Sequence, residues 1–100
     1  MPEQRRARRY DLALPLELVR AGSKRVFSSL ETKNLSSGGV LFIEPGETLE
    51  IGQPVEYYIS LPVPALARPV RLHCLGKVVR YDQPRGAVAA TLERYEFVRT

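Results

Sequence analysis

From Asp11 the hydrophobic and polar positions alternate. Leu12, Leu14, Leu16 and Leu18 fall on one side, with Ala13, Glu17 and Val19 on the other. That period of two predicts a strand with one buried face. Pro15 lacks an amide hydrogen, which predicts an edge position or a bulge there. Ala21-Gly22-Ser23-Lys24 reads as a turn and Arg25 to Lys33 as the returning strand. Leu35-Ser36-Ser37-Gly38-Gly39 reads as a loop, Val40 to Ile43 as a short apolar strand, and Pro45-Gly46 as its end. Val55, Tyr57, Ile59 and Leu61 then alternate inward along the next strand.

Pro62, Pro64 and Pro69 mark a long crossover loop. Val70 to Tyr81 is a long strand with a bend expected at Gly76. The turn Asp82-Gln83-Pro84-Arg85-Gly86 leads into a strand from Ala87 to Leu92. Residues 93–100 form a C-terminal tail in which a short helix can start. About six strands with hairpin connections predict an all-β, antiparallel six-stranded barrel over residues 11–92, because closure hides the strand edges. Residues 1–10 precede it as a flexible basic arm, and all 100 residues make one domain.

Composition changes this picture little: 44% hydrophobic residues suffice for a core and exclude a disordered chain. Charge changes it more. Arg5, Arg6, Arg8 and Arg9 against Glu3 give the arm +3 of the chain's formal net charge of +4. The barrel is close to neutral, which argues against a broad nucleic-acid-binding face and for a local anion site. No apolar stretch approaches the roughly 18 residues that span a bilayer. No apolar h-region follows the basic N-terminus, so a cytoplasmic location is expected. The single Cys74 forms no internal disulfide and reads as a core residue. His73, beside it on a strand, points to the opposite face, which argues against a Cys/His catalytic pair, and no metal-ligand cluster is visible. Ser36 has no evident base. The expectation is therefore a binding module, not an enzyme, with no cofactor.

Two segments carry candidate chemistry. In Arg5-Arg6-Ala7-Arg8-Arg9, each guanidinium is a planar fork of donors that fits phosphate oxygens and the O6/N7 edge of guanine. In Asn34-Leu35-Ser36-Ser37-Gly38-Gly39, an amide and hydroxyls supply donors and acceptors, while the glycines allow close backbone approach. Each segment alone is as well explained by a solvated basic tail or an ordinary turn.

Together they resemble the paired signature of PilZ domains: Arg5-x-x-x-Arg9, two strands of chain, then Asn34-x-Ser36-x-x-Gly39, followed by Val40-Leu41. Gly76-Lys77-Val78-Val79-Arg80 and Gly86-Ala87-Val88 extend the resemblance over roughly residues 4–94. It implies a PilZ-type barrel that binds the bacterial second messenger cyclic di-GMP. Arg5 and Arg9 would contact guanine and phosphate, Asn34 and Ser36 would contact the ligand from the loop, and Gly39 would permit the loop's shape. Arg6 and Arg8 would add phosphate attraction, with Ser37 and Gly38 completing the loop. Many relatives carry a tryptophan where Arg80 stands, and a guanidinium can also stack on a base. A basic residue just before the first motif arginine favours an intercalated ligand pair; Gln4 there leans toward a single molecule, while Arg6 can compensate, so one or two molecules both remain open. Ordering of the arm on binding would signal to a downstream protein or fused domain. The alternatives are a small barrel that binds nucleic acid nonspecifically through its arm, and a degenerate PilZ-like barrel used for protein contacts.

Overall fold

A computed structural model describes residues 10–43, 49–62, 70–82 and 86–99. The arm residues Arg5, Arg6, Arg8 and Arg9, with Gln4, lie outside them. Among the described residues seven strands follow one another: β1 (Pro15–Ala21), β2 (Lys24–Leu35), β3 (Gly39–Ile43), β4 (Pro54–Leu61), β5 (Val70–Asp82), β6 (Ala87–Thr91) and β7 (Arg94–Arg99). All pairings are antiparallel. The order β4-β1-β2-β3-β6-β5 closes on itself through β4–β5, giving the expected six-stranded barrel, with β7 added on β5. There is no helix among the described residues, and none long and apolar enough to cross a membrane.

The alternation along each strand builds the interior. Leu14, Leu16, Leu18, Val26, Val40, Phe42, Val55, Tyr57, Ile59, Leu72, Cys74, Val78 and Val88 share one buried cluster. Leu12 was expected on that face but is exposed. Leu61 is partly buried against the cluster. The β1–β2 hairpin turns on Gly22-Ser23. Gly22 has φ 63°, and among the described residues no non-glycine residue has positive φ. Positive φ at the first central residue alone is the type II′ pattern, which matches the right-handed twist of the flanking strands.

Three expectations are corrected. β1 is not an edge strand, since it pairs with β2 and β4, and its bulge lies between Leu18 and Arg20. Pro15 is tolerated because it is the strand's first residue and has no partner on β4. Asn34 and Leu35 belong to β2 rather than to the loop. The C-terminal stretch continues as β7 instead of starting a helix. Tyr95, Phe97 and Val98 are strand formers, and the Val70–Leu75 half of β5 has an edge that β6, paired only with Val78 to Asp82, does not cover.

Gly76 marks where β5 changes partners on one of its edges, from β7 to β6. A Cβ there would lie 1.8 Å from the Thr91 carbonyl oxygen, so only glycine fits. The buried Tyr57 hydroxyl donates to that same oxygen at 2.9 Å, and the Lys77 amide donates to Thr91 Oγ1 at 2.9 Å. Burial pushes the Tyr57 phenol well above its ordinary value, with Cys74 and Glu93 adding to the shift, so it remains a protonated donor. Glu93 then donates its amide to Leu75 and the chain enters β7.

Candidate functional site

Tyr10, the residue that follows the arm arginines, pairs with the loop segment. Its amide donates to the Leu35 carbonyl at 2.9 Å and its carbonyl accepts from the Leu35 amide at 2.9 Å. Leu35 lies between Asn34 and Ser36, and Tyr10 directly follows Arg9. The root of the arginine arm is therefore hydrogen-bonded to the centre of the loop motif. Thr32, the one buried polar residue among those described, holds the next residues of the chain. Its hydroxyl donates to the Leu12 carbonyl and accepts from the Leu14 amide at 2.9 Å, and its own amide donates to the Leu14 carbonyl at 2.9 Å.

The loop is shaped by its own serine. The Ser36 amide donates to the Gly39 carbonyl at 2.9 Å, and Ser36 Oγ accepts from the Gly38 amide at 3.2 Å. The same hydroxyl lies 3.4 Å from the Gly39 carbonyl. Ser37 and Gly38 form the exposed tip. The two glycines differ in kind. A Cβ on Gly38 would meet nothing, whereas one on Gly39 would lie 2.8 Å from the Ala90 carbonyl. Gly39 is therefore required by the close approach of β6, whatever else it permits.

Strand register places four residues in one outward row: Asn34 opposite Leu41, Leu41 opposite Ala89, and Ala89 opposite Arg80. Three strand spacings make this strip roughly 14 Å long. Its ends are polar and its middle is apolar. Among the described residues neither the Asn34 amide nor the Arg80 guanidinium has a hydrogen-bond or ion-pair partner. Leu41 and Ala89, with Ala87, form a second buried apolar cluster, on the face of β3 and β6 opposite the core. Asn34, Ser36, Gly38, Gly39, Arg80 and Thr91 line the shallow groove of about 180 Å³ that runs along this strip.

Leu41, quoted from sequence only as a flank of the loop motif, Ala89 and the root residue Tyr10 were not among the candidate site residues expected from sequence. A signal for the first two was present. Val40-Leu41-Phe42 and Ala87-Val88-Ala89-Ala90 are apolar on both faces of their strands, a pattern that calls for cover on the outside as well as the inside. No three His, Cys, Asp or Glu side chains among the described residues are grouped to hold a metal. Cys74 is fully buried, and desolvation pushes its thiol up to about 12, far from a reactive thiolate. His73 lies on the opposite, outer face, 2.7 Å from Glu56 and stacked on Tyr58.

Comparison with known proteins agrees with the fold. Residues 3–97 match the family model described as the PilZ domain. No curated protein matches the sequence. Among solved structures, the Bacillus subtilis inhibitor of motility MotI/DgrA superposes with a TM-score of 0.72 at 15% identity, covering 95% of this chain. The match spans 45% of that protein's length, so the likeness is one of fold.

Proposed function

The chain belongs to the PilZ family, whose domains are generally non-catalytic receptor modules, and on that premise we propose that it is a cytoplasmic receptor for cyclic di-GMP. The observation that carries the reading is the Tyr10–Leu35 pairing, which ties the root of the Arg5-x-x-x-Arg9 arm to the middle of Asn34-x-Ser36-x-x-Gly39. In this reading a guanine lies on the Leu41–Ala89 strip. Asn34 supplies hydrogen bonds at one end and Arg80 a cationic plane at the other. Ser36 shapes the loop and offers its hydroxyl, with Ser37 and Gly38 at the tip. Arg5 and Arg9 close over the ligand from the arm, taking phosphate and the guanine O6/N7 edge, while Arg6 and Arg8 add attraction. Gln4 goes with a single bound molecule. The ordered arm then offers a new surface to a downstream protein or domain, a switch driven by differential affinity for the closed state.

Each good bidentate arginine contact contributes about 1–3 kcal/mol of discrimination. Four or five contacts, less the entropy of ordering the arm, give affinity near micromolar, about −8 kcal/mol. Calorimetric titration of the chain with cyclic di-GMP tests the reading. Saturable binding is expected, lost in Arg9→Ala and absent with cyclic di-AMP, which lacks the guanine O6 and N2 groups. Absence of heat at high micromolar ligand would refute it. Binding that ignores base identity and falls steeply with salt would indicate a nucleic-acid tail instead.

A further inference from the structure

Strand β7 leaves the barrel and carries a surface that the receptor function does not use. One of its edges is paired to β5 over Val70 to Leu75, and among the described residues no strand pairs with the other. Tyr95 and Phe97 lie opposite Cys74 and Leu72, whose side chains are in the core, so they continue the core face past the point where the barrel closes. They are nevertheless 57% and 66% exposed, in edge-to-face contact with ring centroids 6.4 Å apart. Arg94 and Glu96 occupy the other face, and the Glu96 side chain is 75% exposed, only 3.7 Å from His73 Nδ1. An unpaired edge with exposed aromatics is a template for strand addition.

We infer that this edge pairs with β7 of a second copy of the chain about a two-fold axis. The charges select the register. Centring the axis on Tyr95 sets Arg94 opposite the second copy's Glu96, and by symmetry Glu96 opposite its Arg94, so two ion pairs form on one face. On the other face the two Tyr95 rings meet, with Phe97 diagonal to each. Centring on Glu96 instead opposes two carboxylates. Full overlap opposes residues 94 and 99, both arginine. The overlap runs from residue 93 to 97, because Thr91 is already paired to Gly39 and the Leu92 amide to the Gly38 carbonyl. This isologous contact closes on itself as a dimer, and none of the overlapping residues 93–97 lines the Asn34–Arg80 groove.

Sedimentation velocity of the whole chain from low to high micromolar concentration tests the inference, with far-UV circular dichroism to verify folding. A reversible monomer–dimer equilibrium is expected. Arg94→Glu replaces two attractions with two repulsions and should raise the dimer dissociation constant about tenfold or more. The swap Arg94→Glu with Glu96→Arg restores complementarity and should return it to within a fewfold of the parent. Tyr95→Lys should give monomer throughout. A monomeric parent at every concentration would overturn the inference and leave the face to a different partner. A swap that stays as weak as Arg94→Glu would overturn the register. A dimer indifferent to both Arg94→Glu and Tyr95→Lys would place the contact elsewhere.

Discussion

Replacing Gly76 by alanine should strain the junction at which β5 passes from one partner to the next. The new Cβ would start 1.8 Å from the Thr91 carbonyl oxygen, and real Cβ atoms do not come within 3.0 Å of such a group. Thr91 must therefore retreat by more than an ångström. It cannot do so freely, because its carbonyl accepts from Tyr57, its hydroxyl accepts from the Lys77 amide, and its backbone pairs with Gly39. Stranding the buried Tyr57 hydroxyl costs about 1–3 kcal/mol, and the Lys77 bond adds about 1. Alanine's smaller unfolded-state entropy returns about 0.4–1 kcal/mol. The net loss is roughly 2–3 kcal/mol, a large share of the ~5–15 kcal/mol that holds a domain together. Urea unfolding should show the midpoint falling by about 1–2 M at unchanged slope. Tyr57→Phe alone should cost about 1 kcal/mol, and adding it to Gly76→Ala should cost almost nothing more, because the same bond is already broken. The control Gly38→Ala, into open space at the loop tip, should be near neutral. A Gly76→Ala loss below about 1 kcal/mol, or costs that simply add, would refute the account.

Arg80→Ala should weaken cyclic di-GMP binding about tenfold by calorimetry while leaving the urea midpoint unchanged, since Arg80 is exposed and unpaired among the described residues; an unchanged affinity would remove it from the site. Thr32→Val should cost about 1–3 kcal/mol in urea unfolding, through the lost contacts to Leu12 and Leu14, and should also weaken ligand binding by loosening the arm's root. The Cys74 thiol should resist a maleimide at pH 8 until denaturant is added. Its folded value of about 12 lies above its ordinary 9.0, so between those values the unfolded chain holds fewer protons than the fold. Stability should therefore fall as pH rises through that window, with buried Tyr57 acting in the same direction, and the fall should be shallower in Cys74→Ala.

The barrel was legible because its strands obey a period of two with turn residues between them. Leu14, Leu16 and Leu18, and Val55, Tyr57 and Ile59, all point inward as their spacing requires. Gly76 stood out in the sequence, although the reason it must be glycine, a carbonyl from a strand fifteen residues later, is a tertiary fact. Pro15 misled because a missing amide hydrogen is compatible with an interior strand when it falls at the strand's first residue. Residues 93–99 misled differently. Arg94-Tyr95-Glu96-Phe97-Val98 has strand composition, but β7 exists only because β5 is longer than β6 and leaves an edge to cover. A local pattern does not carry the relative lengths of two distant strands.

The site divides along the same line. Arg5, Arg9, Asn34, Ser36 and Gly39 were legible as motif residues, yet spacing alone gave no reason for an arm and a loop twenty-five residues apart to meet. Main-chain hydrogen bonds between Tyr10 and Leu35 link the residue that follows Arg9 to the loop motif, and they draw on neither side chain. The floor between Asn34 and Arg80 is likewise made by register, from a leucine that only flanks the loop motif and an alanine that no motif marks. Ser36 and Gly39 show why motif residues are hard to interpret singly: one closes the loop with its hydroxyl and the other admits the Ala90 carbonyl, so substituting either changes the loop before it changes any ligand contact. Asn34 and Arg80 have no such structural duty among the described residues. Loss of binding without loss of stability at these two positions is therefore the cleanest separation of recognition from folding that this barrel offers.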